Sequence, residues 1–126
     1  GGSLGLGLRL ALISIPLGYA LMALWPARAP ALSHVVFISG FSLLTFIVAS
    51  RVILGHSGQA ARFATSIRSV LILVSMIVFA MFTRVTADWM PKVTMSHYAY
   101  AAIAWAMGVA VWGFCILPFV RVSEPE

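Results

Sequence analysis

His34-Val-Val-Phe-Ile-Ser-Gly-Phe-Ser-Leu-Leu-Thr-Phe-Ile-Val-Ala-Ser-Arg51-Val-Ile-Leu-Gly-His56-Ser-Gly58 is the stretch that decides how this chain is read. Between His34 and Arg51 it holds no ionisable residue. A helix of that length and polarity suits hydrocarbon, which takes roughly 20 apolar residues to cross. A histidine stands near its start, an arginine near its end, and a glycine-flanked histidine just beyond. Ionisable groups are expensive at such positions, so His34, Arg51 and His56 are functional candidates by default.

Composition extends this reading to the whole chain. Of 126 residues, 62% are apolar and 9% charged, with a mean hydropathy of +1.05. Soluble domains carry about a quarter of charged residues, so this is an all-α integral membrane protein. Four windows are long enough to span: Leu4 to Trp25, Ala31 to Leu54, Ser69 to Val85 and His97 to Val120. Gly1-Gly2-Ser3 lacks an initiator methionine and reads as a cleavage scar or linker, which leaves residues 4–126 as a single four-helix domain. Short connections alternate the direction of the spans and give an up-down bundle. Trp25-Pro26-Ala-Arg28-Ala-Pro30 closes the first, because each proline lacks a donor and excludes helix before it. Gly55 to Gln59 breaks the second and Asp88 to Lys92 the third, with N-cap candidates at Thr94 to Ser96. Pro16 and Gly18 are expected to bend the first span.

Basic residues set the expected orientation. Arg9, Arg51, Arg62, Arg68 and Arg121 gather at one end, and Arg28, Arg84 and Lys92 at the other, partly offset by Asp88. The positive-inside bias places both termini in the cytoplasm. Trp25, Trp89, Tyr98 and Tyr100 fall at the opposite interface, where amphipathic rings favour the headgroup level. The net charge of +5 is thus a topology signal and a contact with the lipid bilayer; nucleic-acid binding has no support.

Topology converts position into depth. His34 and His97 each begin a span from the same side, so their imidazoles are expected at similar depth, with Arg84 nearby. His56 belongs to the other interface, about 33 Å away at the helical rise. Below His97, the residues Ala101, Ala104, Gly108 and Cys115 form a stripe of small side chains. Either another helix packs closely there, or a flat cofactor occupies the space. On the second span, Phe41 and Thr45 share the His34 face. In a haem reading, His34 and His97 supply axial nitrogens to haem b and Arg84 pairs with a propionate. Against it stands the reading in which both histidines bond only to water or backbone. A copper reading uses Met90, Met95 and His97, because thioether and imidazole suit Cu(I); the methionines serve equally as interfacial gap-fillers.

At the other end, Gly55 and Gly58 permit positive φ, so the loop is able to present His56 and backbone donors beside Arg51 and Arg62 to an anion, a lipid headgroup or a second haem's propionate. The same residues also fit an ordinary glycine C-cap. Catalytic machinery is otherwise absent. Asp88 is the only acid outside the C-terminal tail, and the single Cys115 lies deep in the fourth span. Any chemistry falls to a metal or haem.

The histidine entering the second span, the long apolar run and the exit Arg51-Val-Ile-Leu54-Gly55-His56-Ser57-Gly58 resemble the NnrS family of bacterial membrane proteins, and specifically its C-terminal helices. His34, Arg51 and Leu54-Gly55-His56 match that motif, and Arg84 matches an arginine ending the next helix. Ser57 and Gln59 depart from the commoner threonine and arginine. The resemblance implies a protein containing haem and copper, associated with denitrifying bacteria and with protection against nitric oxide and nitrosative stress. Members are longer, so either the remainder of such a chain or a second copy of this one is an expected partner. The competing class is a cofactor-free module for membrane assembly, in which the stripe on the fourth span drives self-association. A transport subunit has less support, since only Pro16 and Gly18 interrupt a span.

Overall fold

The computed structural model describes residues 2–122. Every element among them is helical, and four helices are long and apolar enough to cross a membrane: α1 (Gly2–Leu24), α2 (Pro26–His56), α3 (Arg68–Trp89) and α4 (Pro91–Arg121). In hydrocarbon a chain has no water to satisfy its amides, so helix is the form these sequences must take. Pro16 sits inside α1 without ending it. Thr94 does not cap α4; its hydroxyl donates back to the carbonyls of Ala87 and Met90 at 3.1 and 3.0 Å, tying the preceding turn.

Packing separates an inner pair of helices from an outer pair. Within the most apolar stretch, 44% of α2 and 39% of α3 is buried, against 22% each of α1 and α4. Accordingly α1 packs on α2 and α3, and α4 packs on α3 and α2. Leu43, Ile47, Leu54, Leu73 and Ile77, with Leu4 from α1 and Ile116 from α4, form the core of one half. Toward the His34 end, α2 buries Leu32, Val35 and Val36, while the seam between α3 and α4 buries only the small Ala80, Ala101 and Ala104. That seam is therefore solid at one end and thinly filled at the other.

Each end is shaped by one local feature. Residues Val35–Ser42 of α2 are wound as π-helix, with the Leu43 amide reaching back to the Ile38 carbonyl. Such wide turns rotate later residues relative to earlier ones. Phe41 is consequently 44% exposed, and Thr45 points outward among Leu44, Val48 and Val52. The expectation that these two share the His34 face fails for that reason. At the other end, Ser3 is buried, and its hydroxyl accepts a 2.9 Å hydrogen bond from the Ile67 amide. The first turn of α1, read from the sequence as an appended segment, thereby fastens the entry to α3.

Two hydrogen bonds fix the register of α2 against α4, which run parallel. Trp105 Nε1 donates to Ser42 Oγ at 2.9 Å and Trp112 Nε1 donates to Ser50 Oγ at 2.7 Å. Phe46 fills the space between the two indoles, edge-on to both. Both tryptophans therefore face α2.

Candidate functional site

The thinly filled end holds a cavity of about 470 Å³ lined by His34, Ile38, Arg84, Tyr98, Ala101, Ala102 and Trp105. Each helix that meets there contributes for a local reason. His34 ends a regular turn of α2, Ala29–His34, where the backbone begins to widen. Its Nδ1 lies 3.1 Å from the Ala31 carbonyl. A carbonyl only accepts, so Nδ1 carries the hydrogen, and the neutral ring keeps its lone pair on Nε2. This is the arrangement by which proteins orient a ligating imidazole.

Arg84, four residues before Asp88 on α3, brings the charge. Its guanidinium lies 4.0 Å above the centroid of the Tyr98 ring, and its Nη1 is 3.6 Å from Asp88 Oδ1. That separation is too long for a hydrogen bond. The Tyr98 hydroxyl has taken the carboxylate oxygen instead, donating to Asp88 Oδ1 at 2.8 Å. Arg84 Nη1 is left buried and without an acceptor among the described residues. Asp88 balances its charge as an ion pair at 3.6 Å, but a buried N–H that makes no hydrogen bond is costly, so this atom is the strongest sign that the cavity accepts a further hydrogen-bond acceptor. The connection between α1 and α2 braces the same corner: Arg28 Nη1 donates to the Asp88 carbonyl at 2.9 Å and its guanidinium covers the Trp89 ring.

The sequence-derived candidates divide between two ends. His34 and Arg84 meet at this cavity. His97 is not among the residues lining it: α4 turns its neighbour Tyr98 toward Arg84 and Asp88 of α3, one residue and about 100° further round. His97 Nδ1 donates to its own Val93 carbonyl at 3.0 Å, and its ring lies beside Tyr100. Met95 is 76% exposed. It diverges from His97 by about 200° around the helix, so an ion on one is out of reach of the other within α4. No group of three or more His, Cys, Asp or Glu side chains able to hold a metal occurs among the described residues. The small stripe on α4 is filled by α3: Ala101, Ala104 and Gly108 are buried, and a Cβ on Gly108 would come within 2.8 Å of Met76 Cβ. Cys115 is exposed and outside that contact.

His56 and Arg51 lie at the far end of α2. Arg51 covers the Phe63 ring, and His56 is an exposed residue of the last turn. Gly58, at φ +75°, reverses the chain so that the Gly58 and Gln59 amides donate to the carbonyls of Gly55 and Leu54. That is a glycine C-cap. It turns those amides back onto the helix, and Gly55 remains helical.

Sequence alone does not single out Tyr98, Trp105, Ser42 and Asp88 as site residues. A signal exists nonetheless. Ser42 and Ser50 recur on α2 at nearly the interval at which Trp105 and Trp112 recur on α4, which is the pattern of parallel helices joined by indole–hydroxyl bonds.

The NnrS protein family model matches residues 3–122, nearly the whole chain. The chain belongs to the NnrS family. No curated protein and no solved structure matches it. The resemblance carried by the His34 to Gly58 stretch therefore extends across all four helices of this NnrS-family chain. With those helices, the match makes it a multi-pass membrane protein. The residue types lining this cavity are ones that haem, which the resemblance implies, would require. His34 Nε2 is a free imidazole donor, Arg84 Nη1 is an unmatched partner for a carboxylate, and Ile38, Ala101, Ala102 and Trp105 provide apolar and aromatic walls.

Proposed function

We propose that this chain is a haem-binding membrane protein of the NnrS family, acting in nitric oxide tolerance from the bacterial inner membrane. The observation that carries the reading is the pairing, in one cavity, of an imidazole with its Nε2 free and a buried guanidinium nitrogen with no acceptor. His34 is the residue that would ligate iron, and Arg84 the one that would hold a propionate. Haem bound there supplies an iron centre able to take a diatomic ligand when one axial position stays open.

The residues of the chain have distinct parts in this reading. The Ala31 carbonyl orients His34 and leaves Nε2 as its free nitrogen. Tyr98 takes the hydrogen bond to Asp88 Oδ1, which leaves Arg84 Nη1 paired with that carboxylate by charge alone. Ile38, Ala101 and Trp105 exclude water from the ligand's edges. Because His97 lies outside the cavity lining, His34 is the one histidine among the described residues that would hold a haem iron there, and such a haem would supply a centre for a diatomic ligand. Titration of purified protein with haemin tests it. One equivalent per chain is expected to saturate a Soret band, which shifts when nitric oxide is added to the reduced protein. A titration showing no saturable site contradicts the proposal. The assembly-module alternative loses its main support, since α3 already occupies the stripe on α4.

A further inference from the structure

A second polar cavity lies at the opposite end, where α2 ends and α3 begins. It measures about 350 Å³ and is lined by Arg62, Ser66, Arg68, Ser69 and Cys115, with Thr65 and Ile67. The residue before α3, Ile67, has an apolar side chain, and α3 starts without a side-chain cap. The first intrahelical bond reaches only Leu71, whose amide donates to the Ile67 carbonyl at 3.0 Å. The amides of Arg68, Ser69 and Val70 therefore open the helix with no intrahelical acceptor, at its positive dipole end.

An uncapped helix start alone does not make a site; Ser69 supplies an independent observation. Its side chain is only 7% exposed and lines this cavity. The other buried hydroxyls are all bonded: Ser3 to Thr65 and Ile67, Ser39 to Val35, Ser50 to Phe46, Ser57 to Leu54 and Thr83 to Phe79. Ser69 alone among the buried hydroxyls of the described residues has no such partner. The Thr65 carbonyl four residues back belongs to extended backbone before the helix and receives the Ser3 amide at 3.2 Å. Arg62 is half-buried and held with its guanidinium over the Phe119 ring, and Arg68 stands beside it. Asp88, the one acid among the described residues, is at the other end of the bundle; Glu124 and Glu126 lie outside them.

We infer that this cavity binds a phosphate group, presented either by the headgroup of an anionic phospholipid or as free phosphate. Two guanidinium groups neutralise its charge and donate in a fork, the α3 amides donate as helix starts do to phosphate, and Ser69 contributes a hydroxyl. Ile67 and Cys115 give the cavity an apolar wall suited to the ester end of a lipid.

Native mass spectrometry of the purified protein titrated with phosphatidylglycerol tests the inference. Arg62→Gln/Arg68→Gln is expected to weaken the most tightly held lipid about thirtyfold, and Ser69→Ala about fivefold. Lys92→Gln, which removes a charge at the other end, is expected to stay within about twofold. Circular dichroism melts establish that each variant is folded. Wild-type affinity in both the double variant and Ser69→Ala overturns the inference, as does an equal loss in Lys92→Gln. Inorganic phosphate distinguishes the source. Displacement of phosphatidylglycerol by millimolar phosphate in wild type but not Ser69→Ala assigns the site to phosphate in either form. Retention of the lipid against phosphate, with the variant losses intact, assigns it to the lipid.

Discussion

The Tyr98 hydroxyl donates to Asp88 Oδ1 at 2.8 Å, and Arg84 Nη1 lies 3.6 Å from the same oxygen, an ion pair without a hydrogen bond. An arginine and an aspartate four residues apart on one helix ordinarily pair with each other. Here a residue from the neighbouring helix competes for the carboxylate. Tyr98→Phe keeps the ring beneath the guanidinium but frees Asp88 to close on Arg84. Haemin affinity is expected to fall about tenfold, the worth of one charge-assisted hydrogen bond. Equal affinity in Tyr98→Phe and wild type, measured by Soret titration, would show that Arg84 is not the anion partner.

Ser50 is buried, accepting from Trp112 Nε1 while donating to the Phe46 carbonyl at 2.7 Å. Ser50→Ala leaves a buried indole N–H unpaired and is expected to cost about 1 kcal/mol, the scale of such bonds within membranes. Trp112→Phe in the same background is expected to cost less than in wild type, because the orphaned donor is gone. Additive losses in detergent unfolding would mean the bond carries no coupling.

Gly108 lets α3 and α4 approach, with Met76 Cβ 2.8 Å from where its own Cβ would stand and the Leu73 backbone 3.6 Å away. Neither is the flexible end of a side chain. Gly108→Leu is expected to push the helices apart at a cost of about 1–3 kcal/mol. The melting temperature in detergent reads this directly, and an unchanged value would refute the close packing of α3 on α4.

Gly58 adopts φ +75° while Gly55 is helical and meets only Phe63 Cζ, at 3.6 Å. Gly58→Ala places a Cβ in the left-handed region and is expected to destabilise by about 1 kcal/mol. Gly55→Ala is expected to be neutral or slightly stabilising, since alanine is the better helix former. The reverse order in thermal melts would remove the C-cap assignment.

The four spans are legible in the sequence because burial in lipid demands helices of a set length, and the runs between Pro26, Gly58 and Pro91 have that length. The family is legible in one motif, from His34 to Gly58. At the site, His34 and Arg84 stand out as charges placed at unusual depth. His97 joins the same constellation on sequence alone because position along a span gives depth, whereas rotation about α4 depends on packing. A step of one residue on a helix is 100°, and Tyr98 occupies the direction expected of His97. Phe41 and Thr45 are misplaced for a related reason. The π-helical turns of Val35–Ser42 shift the face of α2 partway along, and no residue in that run announces it. The role of Asp88 is hidden because its competition between Tyr98 and Arg84 exists only once α3 and α4 are packed.

The central claim, that the His34 cavity holds haem through His34, is tested most directly by the visible spectrum. Protein purified from haem-supplemented cells is compared, oxidised and dithionite-reduced, with His34→Ala and His97→Ala. The account predicts a Soret band in wild type and in His97→Ala, and its loss in His34→Ala. A colourless wild type, or a Soret band that survives His34→Ala, would contradict it.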